Sequence, residues 1–100
     1  MGEMMKKILA RLKLYSGTNK RKTAFVDGYR PLFYIEGHGL TSGMITLLDR
    51  KKFMPGDEGI VEVKFLDAGI VEGAKLHFYE AVEPLGECLV LQVLDIGTAS

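Results

Sequence analysis

Turn-forming residues interrupt the chain at short, regular intervals, and this spacing most limits the folds that the chain can adopt. The turns are rich in Gly, Pro, Asn and Asp and lie at 16–19, 27–28, 37–39, 55–57, 67–69 and 83–86. Between them lie short runs of apolar, β-branched and aromatic residues, at 13–15, 32–35, 44–48, 60–66, 76–79 and 89–94. Such runs predict six or seven short strands. We therefore expect an all-β fold, either a sandwich or a small closed barrel.

The alternation of side chains supports strands in most runs but not at the N-terminus. Within 60–66, Glu62 and Lys64 share one face while apolar residues fill the other, as a half-buried strand requires. The apolar residues of 4–14 fit a helical stripe equally well, and a strand there would place Leu9 on the wrong face. The residues alone leave helix and strand open for this segment.

The chain has the size of one domain, with 100 residues of which 47% are hydrophobic. We expect a single unit over 1–100, with frayed ends at 1–5 and 97–100. Its longest nearly apolar run, 88–94, is too short to cross a bilayer, and basic residues interrupt the N-terminal apolar stretch before an export signal is complete. The single Cys88 cannot form an internal disulfide. A cytoplasmic protein with no membrane partner is therefore expected.

Charge is balanced overall but distributed unevenly along the chain. The sequence has 13 Lys and Arg against 13 Asp and Glu. Residues 1–30 hold eight basic and two acidic residues, whereas 56–100 hold two basic and nine acidic residues. This polarity makes a basic surface patch possible if the segments lie apart in the fold.

No residue pattern indicates catalysis, a metal or a cofactor. The Gly37-His38-Gly39 stretch has neither the third glycine nor the following helix of a nucleotide-binding loop. His38, His77 and Cys88 match no zinc spacing, and Asp57-Glu58 follows a Pro-Gly turn rather than forming an acid–base couple. We expect no enzyme activity and no cofactor. A small enzyme or ligand binder would instead need a deep pocket that contains His77 or Cys88.

Several motifs, taken in order, resemble those of one known family. They are Arg21-Lys22-Thr23-Ala24-Phe25, Gly28-Tyr29-Arg30-Pro31-Leu32-Phe33-Tyr34, Thr41-Ser42-Gly43, Met54-Pro55-Gly56-Asp57, Gly73 and Gly86-Glu87-Cys88-Leu89-Val90. Together they resemble the C-terminal β-barrel, the third domain, of translation elongation factor Tu, over about Ile8 to Ile96. The resemblance implies a six-stranded antiparallel closed β-barrel with the N-terminal segment as a strand. It also implies a barrel that hydrolyses nothing itself, packs on a GTPase domain and helps to hold the T-stem of aminoacyl-tRNA.

The residues at the family's tRNA face depart from the family pattern. Leu32 stands where the family usually has Gln, Glu36 stands where it has Arg, and its Glu-Gly-Gly-Arg loop reads Glu80-Ala81-Val82-Glu83. Thr41 and Arg21 match the family. An acidic residue in place of Arg repels a phosphate, so the resemblance implies weakened tRNA binding.

These observations predict a docking module without a GTPase domain, whose main partner is a protein. The apolar candidates for contact are Leu32 and Val82, and Glu36 and Thr41 lie at the altered tRNA face. The alternative is a translation-associated RNA-binding domain that uses the basic residues Lys20, Arg21, Lys22 and Arg30.

The missing phosphate-binding loop generates a direct prediction: the chain does not bind GTP. Titration calorimetry with GTP and GDP should give no saturable heat. Stoichiometric binding of either nucleotide would contradict the prediction.

Overall fold

The computed structural model describes residues 4–17, 23–66 and 69–98. These residues contain six strands, and their bounds are β1 Met4–Leu14, β2 Leu32–Ile35, β3 Gly39–Leu47, β4 Glu58–Leu66, β5 Lys75–Tyr79 and β6 Pro84–Thr98. They form a closed barrel in the order β1-β4-β3-β2-β5-β6, and each neighbouring pair is antiparallel. The predicted all-β, six-stranded antiparallel closed barrel is confirmed. Within the described residues, no helix is long and apolar enough to cross a bilayer.

The N-terminal segment, which the residues alone left open, is strand β1. It pairs with β4 on one side and with β6 on the other, so it closes the barrel. Ile8, Ala10, Leu12 and Leu14 have no exposed surface, whereas Leu9 lies half-buried on the outer side. The period of two is retained because a strand between two partners has one face toward the core and one away from it. The strand implied by the resemblance is confirmed.

The interior of the barrel is filled by apolar side chains. The buried set includes no polar or charged residue among the described residues. Phe33 packs edge-on against Phe65 with ring centroids 5.0 Å apart, and its centroid lies 5.7 Å from that of Phe78. Phe25 and Phe53 stack at 5.2 Å and join the same core from segments outside the strands. Aromatic residues of β2, β4 and β5 therefore meet in one cluster that fixes the interior volume.

Two glycines of the motifs make room for that cluster. A Cβ atom at Gly43 on β3 would lie 2.6 Å from Phe65 and 2.8 Å from Phe33. A Cβ atom at Gly86 on β6 would lie 2.5 Å from the Phe78 ring. Carbon atoms cannot approach so closely, so each glycine is needed for a phenylalanine to fit.

The Met54-Pro55-Gly56-Asp57 motif forms the tight turn that the sequence predicts. The Asp57 amide donates to the Met54 carbonyl at 2.9 Å, and the Asp57 carboxylate accepts from the Met54 amide at 2.9 Å. Gly56 has a φ of 89°, a conformation that favours glycine. Its amide donates to the Leu14 carbonyl at 2.8 Å, so the turn is tied to the end of β1.

We expect Gly43→Ala to destabilise the barrel by about 1–3 kcal/mol, because the added methyl group pushes Phe33 and Phe65 out of place. Gly69→Ala is the matched control, since a Cβ atom there meets nothing within 4 Å. Urea unfolding of the two variants measures the difference. Equal stability of both variants would contradict the packing argument.

Candidate docking surface

Four exposed side chains alternate with buried ones along β2 and the residues on either side of it. Arg30, Leu32, Tyr34 and Glu36 are exposed, and the three residues between them are buried. Leu32 is 42% exposed and Tyr34 is 48% exposed. We call these four residues the β2 row. It places two large apolar side chains in solvent between a cation at one end and an anion at the other.

Neighbouring strands widen the apolar part of this row. Leu40 on β3 lies directly opposite Tyr34 and is 59% exposed. On the other side, β5 places Tyr79 opposite Leu32 and His77 opposite Tyr34, and both are half-buried. Cross-strand neighbours on one face lie about 5 Å apart, so these side chains form a continuous surface. We call the β2 row with Leu40, His77 and Tyr79 the β2 face.

Ion pairs distinguish the β2 row from other parts of the outer surface. Lys7 pairs with Glu62 at 3.8 Å, and Lys75 pairs with Glu87 at 3.2 Å. Arg30 instead has its guanidinium 3.6 Å from the sulfur of Met44, and it makes no ion pair with another described residue. The described part of the chain likewise contains no ion-pair partner for Glu36. The charged groups of Arg30 and Glu36 are therefore available to form ion pairs with an incoming molecule.

The structure places the predicted surface residues in three different locations. Arg30, Leu32 and Glu36 belong to the β2 row. Val82 is 92% exposed and lies in the turn that follows β5. The last residue of β5, Tyr79, pairs with Leu32. Thr41 lies in the inward register of β3, opposite Phe33, and is half-buried.

Three predicted basic contacts are not placed by the structure. They lie outside the described residues and are Lys20, Arg21 and Lys22.

Four contributors to the β2 face were not among the predicted surface residues, namely Tyr34, Leu40, His77 and Tyr79. The run 32–35 is apolar at all four positions, so hydrophobicity alone does not distinguish its two faces. A period of two does indicate that half of such a run points away from a barrel interior. Leu40 carried no comparable signal, because its place beside Tyr34 depends on the register between β2 and β3.

The candidate reactive groups lie apart from one another. Cys88 is fully buried inside the barrel, where desolvation strongly raises the pKa of its thiol. His77 lies on the outer side of β5, and His38 is exposed in the turn after β2. No cluster of three or more potential metal ligands occurs within residues 4–17, 23–66 and 69–98. A cavity of about 310 Å³ is lined by apolar residues such as Ile70 and Leu76 and by the charged residues Glu36 and Lys75, and neither His77 nor Cys88 lines it.

No protein-family model matches the chain.

A hydrogen-bonded cluster lies beside the β2 face and ties the end of β1 to β6. The Tyr15 hydroxyl donates to a Glu87 oxygen at 2.7 Å, and Lys75 contacts the other oxygen of Glu87. Burial, with the Glu87 carboxylate, raises the pKa of Tyr15 to about 12. The hydrogen bond from Tyr15, and then Lys75, lowers the pKa of Glu87. Both carboxylate oxygens of Glu87 are thus already bound by neighbouring side chains.

The raised pKa of Tyr15 generates a pH prediction. Unfolding lets Tyr15 ionise near its ordinary pKa of 10.0, so its stabilising contribution is full below pH 10 and is lost as pH rises toward about 12. Tyr15→Phe should cost about 0.5–1.5 kcal/mol at pH 7, and this cost should shrink above pH 10. Urea unfolding at several pH values measures it.

The matched control is Tyr34→Phe, which removes the hydroxyl of a tyrosine that is 48% exposed. Its effect on stability should be small. A cost of Tyr15→Phe that stays constant up to pH 11 would contradict the role given to the Glu87 hydrogen bond.

Proposed function

We propose that this barrel is a non-enzymatic docking module of the elongation factor Tu third-domain type, and that a protein binds to its β2 face. The observation that carries the proposal is the exposed apolar centre of that face, formed by Leu32, Tyr34 and Leu40. Contiguous apolar side chains in solvent are typical of surfaces that a partner covers.

The relationship to the elongation factor Tu barrel is supported by what the shared motifs do in this fold. Gly43 and Gly86 leave the space that the core phenylalanines occupy. The turn at 54–57 is hydrogen-bonded to the end of β1. The motifs therefore serve packing and chain reversal, which are needs of the barrel itself. Motifs with these structural roles are consistent with a module that binds a partner and catalyses no reaction.

A protein partner is favoured over RNA by the charges near the β2 face. Glu36 ends the β2 row, and the turn after β5 carries Glu80 and Glu83. The Tyr29 hydroxyl donates to Glu80, so this carboxylate is bound to the residue that precedes Arg30 in the chain. Carboxylates repel the phosphates that an RNA would bring to Arg30. Apolar surface flanked by single charges suits a protein interface better.

We further propose that the module acts in the cytoplasm, in a translation-related role. Cys88 is buried in the core as a small apolar residue, so the fold does not depend on oxidation of its cysteine. The translation-related role rests on the resemblance to elongation factor Tu.

A single substitution at the centre of the β2 face tests the proposal. Leu32→Glu places a charge in the contact and should weaken capture of the main partner from lysate of the source cell at least tenfold, which corresponds to about 1.4 kcal/mol. Leu89→Glu is the matched control: Leu89 is 39% exposed on β6, between Lys75 and Arg11, and β6 does not pair with β2. We expect Leu89→Glu to stay within about threefold of the wild type.

Salt and nuclease separate protein binding from RNA binding. A protein partner held by apolar contact should resist nuclease, and its affinity should change little with salt. If the four basic residues Lys20, Arg21, Lys22 and Arg30 contacted phosphates instead, log K would fall against log salt with a slope of about −3. Loss of capture after nuclease treatment, or equal effects of Leu32→Glu and Leu89→Glu, would overturn the proposal.

A further inference from the structure

The β2 row has an order of side chains that is complementary to its own reverse. Read along the chain it is Arg30, Leu32, Tyr34, Glu36, which is a cation, two apolar residues and an anion. Read backward it is an anion, two apolar residues and a cation. The two charged residues lie on either side of β2, Arg30 two residues before it and Glu36 at the start of the turn that follows it. A second row of the same kind, turned end to end, therefore matches the first at every position.

A twofold axis that lies between the two faces, perpendicular to β2 and level with Phe33, produces this match. The axis brings Arg30 of one copy to Glu36 of the other, and the reciprocal pair forms at the opposite end. Leu32 of each copy then faces Tyr34 of the other. Stacking in the same direction would instead place Arg30 on Arg30 and Glu36 on Glu36. Charge therefore selects the reversed arrangement and disfavours the parallel one.

The neighbouring strand fits the same rotation. Leu40 lies beside Tyr34, and Ser42 lies beside Leu32 on the same outer side of β3. The rotation leaves β3 above β3 and exchanges these two levels, so Leu40 of one copy faces the small side chain of Ser42 in the other. The projecting leucine, 59% exposed, thus meets a position where little side chain stands in its way.

We propose that the occupant of the β2 face is a second copy of this chain, bound face to face in an antiparallel, twofold dimer. This inference rests on the proposed function, because it identifies the partner of the same surface. Arg30 can supply several N–H donors to a carboxylate, since its contact with the Met44 sulfur uses a weak acceptor. The apolar centre consists of a few side chains, whereas a standard interface has about 20–30 residues on each side. The dimer is therefore weak and depends on concentration.

Charge reversal at the two ends of the row tests the geometry. Sedimentation velocity of the purified chain over roughly 5–500 μM, a range suited to micromolar affinity, should show reversible dimerisation. Arg30→Glu and Glu36→Arg should each weaken the dimer about tenfold, because each creates two like-charged pairs across the axis. An equimolar mixture of the two variants should restore dimerisation to near the wild-type level. The variant with both substitutions should dimerise with itself in the same way.

The mixture also shows that the two variants are folded, since an unfolded chain could not restore binding. Leu32→Glu should abolish the dimer, while Leu89→Glu should leave it unchanged. A dimer that is insensitive to Arg30→Glu, or a mixture without recovery, would overturn the twofold arrangement.

Failure of this inference and failure of the proposed function give different results. If the purified chain stays monomeric to about 500 μM while Leu32→Glu still loses capture of another protein from lysate, self-association is wrong and docking stands. If the chain is monomeric and Leu32→Glu captures the same proteins as the wild type, both are wrong. If the charge-reversed variants recover dimerisation on mixing, both are supported.

Discussion

Closure of the sheet around three phenylalanines is the constraint on which the rest of the structure depends. Strand β1 pairs with β4 and β6, so the described strands form a sheet without a free edge. Every strand must then direct one side inward, where Phe33, Phe65 and Phe78 occupy the space. Gly43 and Gly86 are the complement of these rings, because any larger residue would collide with them. The glycines of the motifs and the phenylalanines of the core therefore depend on each other for packing.

The β2 face is a consequence of the same closure. β2 is four residues long, and all four are apolar, so a period of two sends two apolar residues to the outside whichever way the strand is set, and in this barrel they are Leu32 and Tyr34. The inward pair, Phe33 and Ile35, satisfies the core. The outward pair is not needed for the barrel's interior, which is why it is available to a partner. In our proposal this surplus of apolar residues on one short strand is the basis of docking.

The charged residues at the two ends of the β2 row make its two ends electrically different. Elsewhere on the outer wall, cross-strand pairs such as Lys7 with Glu62 neutralise each other within the fold. Arg30 and Glu36 are separated by the length of β2, too far apart to do so, and each remains to be matched from outside. Isolated charges at the ends of an apolar contact add little affinity but strongly influence orientation. An arrangement with one charge of each sign at opposite ends is self-complementary under a twofold rotation.

Local chemistry determined much of this protein from the sequence alone. The turns at glycine and proline, the strands between them and the all-β class follow from residues within a few positions of each other. Local residues did not decide between helix and strand for 4–14, because β1 is stabilised by pairing with two distant strands rather than by its own propensity. The β2 face was likewise only half predicted. Leu32 was recognised, whereas Leu40 joins it because the register places Leu40 opposite Tyr34, and Thr41 is turned inward by the same register. Such facts depend on residues distant along the chain meeting in space, and only the tertiary structure decides them.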